Sequence, residues 1–373
     1  MAKALTYPLM TEFETTGALI ADIPWPSGKG STPTVQRFGE TTDQARSALL
    51  HDVAIADLTG RSLLRVTGND RLAWLHGLCT QEIKRLEPGQ GAYACHVDIK
   101  GKIQTDLRVS VLPDGDLLLD LEPGESRRMR RTFKRYIIME DVKVSDVTQG
   151  WATLGLFGPG AAGLLHKRGD IDLSDLPTHH VRPITLAGHE VWAVASDLVG
   201  VAGFRLVCPR DEAAWAVWQL LSPPAIPAGF EALEAMRIRF GRPKLGPDLH
   251  DGVLFNEALL SDAVSFTKGC YLGQEVVERV DARGRVGRKL LGLKIMGTAD
   301  ALPAPGSTIA NTSRALGQLT SVAWHDDLGY GTGLGLIHRA DNAPGTSLLI
   351  RPENGPEVEA IVTPRDKLAW NSA

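Results

Sequence analysis

The chain has 373 residues, of which 43% are hydrophobic and 23% charged. This excludes a wholly disordered chain and leaves room for about two or three domains. Forty Lys and Arg against 44 Asp and Glu give a net charge of -4, which excludes a protein built mainly to coat nucleic acid but not a local basic patch.

In chain order, residues 1–40 come first. Pro24, Pro26, Gly28, Gly30 and Pro33 lie close together, so the segment reads as an irregular arm on the surface. The opening MAKALTYPLMTEFETTGAL lacks the apolar stretch of a secretory signal. No apolar run reaches the roughly 18–20 residues of a membrane span, so no membrane partner is expected.

Residues 41–150 form the first α+β part. Thr42 or Asp43 caps a short helix running to Leu50. A strand at 61–67 ends at Gly68, and a helix then carries Leu72, Leu75, Leu78 and Cys79 on one face. Strands follow at 91–97, 103–112 and 116–121, with Asp114–Gly115 as a hairpin turn. A helix from Ser126 to Ile138 turns Met129, Phe133, Tyr136 and Ile137 inward, and a strand at 142–147 closes the unit. This order is that of a ferredoxin-like unit.

Residues 151–284 restart a similar plan. A strand at 152–157 runs through Gly158, Pro159 and Gly160 into a short helix ending at His166. Strands near 191–195 and 204–208 follow. One helix starts at Asp211 and carries Trp215 and Trp218; another spans 229–240 and stops at Gly241 and Pro243. In residues 285–373, the short Gly-punctuated segments LLGLKI, STIA, LGQLTSVAW, GTGLGLI, SLLIR and EVEAIV predict a small β-barrel or sandwich.

Four segments can carry chemistry. Lys268–Glu275 reads KGCYLGQE. Lys268 can favour the thiolate of Cys270, Tyr271 offers a flat face, and Gln274 and Glu275 offer acceptors for a pterin-like edge; the other reading is an inert cysteine in a tight turn. In the Tyr93–Asp106 segment, a hairpin through Lys100–Gly101 brings Asp98 and Asp106 onto adjacent strands, where a carboxylate can take a proton from a ring nitrogen, or where both are solvated edge acids. Arg127, Arg128, Arg130, Arg131, Lys134 and Arg135 crowd one helix as a polyanion site or a solvated face. Arg283, Arg285, Arg288 and Lys289 form either a carboxylate grip or a charged linker. Cys79, Cys95, Cys208 and Cys270 contain no CxxC, and neither they nor the histidines, His179-His180 included, have metal-ligand spacing, so no metal site is assigned. A reducing cytoplasm is the expected setting.

With KGCYLGQEVVERV in view, the chain resembles the YgfZ family of folate-binding proteins, relatives of the T protein of the glycine cleavage system. RVTGNDRLAWLHGLCTQEI, GAYACHVDIKGKIQTDLRV, LGLFGPGAAGLL, AMRIRFGRPKLGPDL and LGQLTSVAW resemble further family segments. The resemblance implies an α+β cloverleaf of two ferredoxin-like α+β parts plus a small C-terminal β-barrel around a folate hole. It implies tetrahydrofolate or a derivative as cofactor. It also implies a role in assembling or repairing iron–sulfur clusters in client enzymes, with assembly proteins as partners. An effect on tRNA modification follows indirectly, with tRNA contact through the basic helix a lesser expectation. A folate-dependent aminomethyl or methyl transferase is the alternative. Residue by residue, Cys270 matches the signature cysteine, with Lys268, Tyr271, Gln274 and Glu275 around it. Asp106 falls on the second acid of an aminomethyltransferase Asp-Asp pair, Thr105 replacing the first. Tyr93 matches an aromatic of their folate site and Arg237 a ligand-binding arginine. Cys270 and Asp106 are the expected catalytic residues. Two departures speak against glycine-cleavage chemistry: those enzymes carry an acidic residue within the stretch matching Leu198–Phe204 and lack a cysteine at the position of Cys270.

Overall fold

The computed structural model describes residues 8–39, 42–210, 212–284 and 286–369. Asp211, the expected start of a helix, and Arg285 of the basic segment lie outside the described residues, as do residues 1–7 and 40 of the expected arm.

The N-terminal segment is not irregular. It forms α1 (Pro8–Thr15) and a hairpin of β1 (Ala18–Pro24) and β2 (Ser31–Phe38). Leu9, Met10 and Phe13 recur at helical spacing and are all buried. Phe13 stacks edge-on to Trp218, with ring centroids 4.6 Å apart. Pro24 ends β1, and Pro26, Gly28 and Gly30 lie in the connection, where fixed or positive φ suits a tight reversal, while Pro33 sits within β2 opposite Asp22. Their density therefore marked a turn between ordered elements.

Next come α2 (Thr42–His51), β3 (Ala54–Asp57), β4 (Ser62–Thr67), α3 (Arg71–His76), β5 (Gly91–Val97), β6 (Ile103–Val111), β7 (Leu117–Leu121), α4 (Ser126–Lys134) and β8 (Lys143–Asp146). Five of these strands make an antiparallel sheet in the order β5-β6-β7-β4-β8. Trp74 and Leu75 of α3 and Met129 and Phe133 of α4 cover one face, packing on Leu107, Val109 and Leu119. The helix α4 stops at Lys134, short of Ile138. Tyr136 and Ile137 still pack on the core, from a turn rather than from the helix.

The second unit contains β9 (Trp151–Phe157), α5 (Ala161–Gly169), β10 (Val181–Leu186), β11 (His189–Ser196), β12 (Gly203–Pro209), α6 (Glu212–Leu221), β13 (Ile226–Pro227) and α7 (Phe230–Arg239). Its sheet runs β10-β11-β12-β9-β3-β13. The strand β3, early in the first segment, thus belongs to the second sheet, antiparallel to β9.

Two short helices, α8 (Phe255–Ala258) and α9 (Gln274–Arg283), lead into the barrel. Its strands are β14 (Arg288–Ile295), β15 (Thr308–Ala310), β16 (Ala315–His325), β17 (Tyr330–His338), β18 (Ser347–Arg351) and β19 (Val358–Thr363). They close in the order β14-β17-β16-β15-β18-β19. Closure decides between barrel and sandwich, and removes the unpaired edges that an open sheet leaves.

The two sheets meet through an apolar layer with a charged centre. Leu63, Leu118, Val181, Val194 and Val207 form the layer, and Trp151 stacks on Trp192 with centroids 4.2 Å apart. Beside it, Arg61 donates to Asp120 at 2.6 Å and to Glu122 at 2.5 Å. Arg205 of β12 pairs with Asp120 of β7, so one carboxylate ties the second sheet to the first. All four groups are buried. Buried charges persist only when paired.

Candidate functional site

The three parts surround a cavity of about 740 Å3. Tyr93 and Arg108 come from the first sheet and His179, Asp197 and Gly200 from the second unit, while the barrel end adds Lys289, Asn342 and Arg365. A smaller cavity of about 110 Å3 adjoins it. Arg108 and Pro243 line both. Asp106, Arg61, Glu122, Leu198, Val199, Glu234 and Arg237 line the smaller one. The larger volume falls in the roughly 300–1,000 Å3 range of small-molecule sites.

The β5–β6 pair builds the polar heart of the site. Its register sets Cys95 opposite Asp106 and Tyr93 opposite Arg108. The Tyr93 hydroxyl donates to Asp106 Oδ2 at 3.0 Å. The Arg108 guanidinium lies 4.9 Å over the Tyr93 ring, and its Nη1 is 3.8 Å from Asp106 Oδ2. Asp106 Oδ1 is buried with no hydrogen-bond partner among the described residues. Asp98 does not join it. Asp98 sits at the hairpin turn, where Oδ1 accepts the amides of Lys100 at 2.8 Å and Lys102 at 2.9 Å. The expectation of two neighbouring acids is therefore corrected: Asp98 shapes the turn, as short acidic side chains do.

The buried carboxylates divide into two kinds. Burial pulls the Glu234 carboxyl upward, but Arg237 and Lys244 outweigh it and hold it down at about 2. Glu122 is likewise held low, Arg61 outweighing burial. Asp106 goes the other way: burial raises its pKa, and Arg108, the next influence, does not cancel that. Environments that push carboxylates apart in this way separate a proton-exchanging group from structural anions. Burial also lowers His179 to about 4, so it faces the larger cavity as neutral imidazole at physiological pH.

Arg237 lines the smaller cavity, but its donors are engaged within the protein. They reach Glu234 Oε2 at 2.9 Å, Asp248 Oδ2 at 2.8 Å, the Arg242 carbonyl at 3.1 Å and Ser321 Oγ at 2.9 Å. Ser321 lies on β16, so this arginine ties α7 to the barrel.

The KGCYLGQE segment lies apart: none of Lys268, Cys270, Tyr271, Gln274 and Glu275 lines either cavity. Lys268 Nζ donates to the carbonyls of His76 at 2.6 Å, Cys79 at 2.5 Å and Gln81 at 2.9 Å, fastening the segment to the turn after α3. Tyr271 is buried in the cluster that also holds Tyr93 and Cys95. Gln274 accepts the Tyr271 amide at 3.2 Å and donates to Glu278 at 2.6 Å. Glu275 is exposed. The Cys270 thiol is exposed, whereas Cys79, Cys95 and Cys208 are buried. Gly273 takes φ +80°, and an added Cβ would meet the Asp98 carbonyl oxygen at 2.3 Å. Gly273→Ala is therefore expected to destabilise the fold by about 1–3 kcal/mol in chemical unfolding, combining a disfavoured φ with a backbone clash.

Residues 17–268 match the GCVT N-terminal domain, and residues 288–366 match the glycine cleavage T-protein C-terminal barrel domain. The chain belongs to the glycine cleavage T-protein family. It is 28% identical over 90% of its length to a chloroplastic protein of Arabidopsis thaliana that carries a transferase name, covering 76% of that protein. It is 26% identical to an aminomethyltransferase of Halothermothrix orenii, covering 83% of this chain and 87% of that one. The crystal structure of glycine cleavage system aminomethyltransferase T from Bartonella henselae superposes with a TM-score of 0.87 at 17% identity, over 98% of this chain and 99% of that one. At that identity the likeness is one of fold.

Within this T-protein fold, sequence reasoning missed several cavity residues. Arg108 was within reach, because it stands two positions from Asp106 on one strand face. His179 was considered for metals only, although it lines the larger cavity. Arg61, Asp120, Glu122 and Arg205 carried no sequence signal, since their pairing depends on two sheets meeting. Burial pushes the Cys79 thiol up to about 12, and burial raises Cys95 well above its ordinary value. A colourless aromatic disulfide reagent that releases a coloured thiolate is expected to titrate one thiol in the native protein, lost in Cys270→Ser, and four after unfolding.

Proposed function

We propose that this T-protein relative binds a reduced folate and acts as a YgfZ-type factor that supports iron–sulfur cluster assembly or repair in client enzymes. The observation that carries the reading is the separation of two chemical groups. A buried carboxylate, Asp106, lines the cavity system with Oδ1 unpartnered, while the exposed Cys270 thiol lies outside it.

The cavity suits a folate. Asp106 accepts a ring N–H of the pterin, Tyr93 and Arg108 form a flat wall, and the three protein parts hold the rest of the molecule. A thiol away from that cavity is free to engage a partner protein. One cysteine cannot complete a four-cysteine cluster site, so the cluster is cargo of the client rather than a resident group. The proposed partners are client enzymes or assembly proteins in a reducing cytoplasm, and any effect on tRNA modification is indirect.

The test is calorimetry with tetrahydrofolate on wild type, Asp106→Asn and Cys270→Ala. Binding by wild type and Cys270→Ala, with weakened binding by Asp106→Asn, supports separate tasks. Loss of cluster-enzyme activity in cells carrying only Cys270→Ala completes the reading. Absence of binding to any reduced folate by wild type removes it.

One observation favours a second reading. The raised pKa of Asp106 at the buried wall of the smaller cavity suits proton exchange with a bound one-carbon adduct, and several relatives are named aminomethyltransferase. Against it, Leu198 and Val199 give the smaller cavity an apolar wall. Formation of methylene-tetrahydrofolate from an aminomethyl donor, dependent on Asp106, establishes this transferase reading in place of the first.

A further inference from the structure

The outer face of α4 and the turn after it combine two features that rarely coincide. Arg127, Arg130, Arg131, Lys134 and Arg135 are all exposed. Among the described residues, no ion pair joins any of them to an acid; Arg128 alone of the cluster is paired, with Glu125. Beyond the helix, Ile138 is 84% exposed and Met139 94% exposed.

The turn is held in shape. Glu140 accepts the amides of Ile138 at 2.7 Å and Met139 at 3.0 Å, so its carboxylate folds onto the turn. The Tyr136 carbonyl accepts the Trp74 indole N–H at 3.0 Å. Asp141 Oδ2 accepts the Asn69 amide at 2.9 Å, and Asp70 Oδ2 accepts the Asp141 amide at 2.8 Å. The two apolar side chains therefore project from an anchored tip, beside five cations on a chain whose net charge is -4.

We propose that α4 and its tip dock this protein peripherally on an anionic lipid bilayer. A bilayer interface supplies both complements at once: negative headgroups for the arginines and, about 5–10 Å deeper, an apolar boundary for Ile138 and Met139. A nucleic acid complements the cations but offers no slot for two aliphatic side chains, and the ring of Tyr136 in this turn packs on the core instead of standing open for base stacking. The expectation of no membrane partner rested on the lack of a span; among the described residues no helix is long and apolar enough to cross a membrane, and the proposed contact lies on the surface instead.

The experiment is vesicle sedimentation with the full chain. Vesicles of phosphatidylcholine alone are compared with vesicles in which one lipid in three is phosphatidylglycerol, at low and at high salt. Wild type is expected on the anionic vesicles at low salt, to be absent from the neutral ones, and to be released by high salt. Ile138→Ser with Met139→Ser leaves every charge in place and is expected to weaken binding about tenfold or more, because apolar burial adds to the electrostatic attraction. Arg130→Glu with Arg131→Glu is expected to abolish it. All four side chains are exposed, and unchanged melting curves confirm the fold. The proposal fails if wild type ignores anionic vesicles at low salt. It also fails if the serine pair binds as wild type does, or if a single-stranded RNA binds through the same arginines and displaces the vesicles.

Discussion

Arg237→Ala is expected to destabilise the protein by about 3–5 kcal/mol, the range for removing one partner of a buried ion pair. The guanidinium is 6% exposed and bonds Glu234, Asp248 and Ser321. Its removal strands two carboxylates, one of them the fully buried Asp248. Lys244 still reaches Glu234 at 3.1 Å, which limits the loss there. Asp248 keeps the hydroxyls of Thr320 at 2.6 Å and Ser321 at 2.7 Å and the Lys244 amide at 3.0 Å, all of them neutral donors. Urea denaturation at neutral pH measures the effect. Ser321→Ala removes one hydroxyl from the same network and should cost about 1 kcal/mol. If Arg237→Ala costs no more than Ser321→Ala, the guanidinium does not join α7 to the barrel as described. A much larger loss of folate affinity than of stability would instead assign Arg237 to the ligand.

Asp106→Asn is expected to move stability and binding in opposite directions. Burial raises the Asp106 pKa above its unfolded value, about 3.9. Below that value both states are protonated and the shift has no effect. As pH rises through the folded pKa, ionising the buried group costs stability, because the native state holds the proton more tightly than the unfolded one. Asparagine cannot ionise. The variant should therefore be as stable as wild type in acid, and equally or more stable at neutral pH, with a flatter dependence of stability on pH. Its amide oxygen still accepts the Tyr93 hydroxyl. Folate affinity should fall about tenfold to a hundredfold, the worth of a hydrogen bond to a charged group. Thermal unfolding across the acid range, beside the calorimetry, checks both signs. A variant less stable than wild type at neutral pH would mean that Arg108 governs the carboxylate and that Asp106 belongs to the structural anions.

The barrel strands were legible from short apolar segments separated by Gly-rich turns, and all six segments became strands. The β5–β6 hairpin was legible too, because Lys100–Gly101 is a turn signal and Gly101 takes φ +72°. The N-terminal segment misled because turn residues dominate its middle, while Leu9, Met10 and Phe13 find their partners on α6, some two hundred residues away. The KGCYLGQE segment stood out by its dense chemistry, but its geometry was not legible. Lys268 stands near Cys270 in sequence, yet its ammonium meets the carbonyls of the turn after α3.

By itself, the sequence determined the class of fold and the type of most elements, because periodicity and turn chemistry are local properties of the chain. Tertiary structure alone decided that β3 leaves the first sheet for the second, that Arg61, Asp120 and Arg205 meet between sheets, and that Asp106 and Cys270 serve different places. Those outcomes depend on register and on which distant charges share a dry interior, where an unpaired ion is too costly to persist. No local pattern encodes the identity of a partner brought in by another segment.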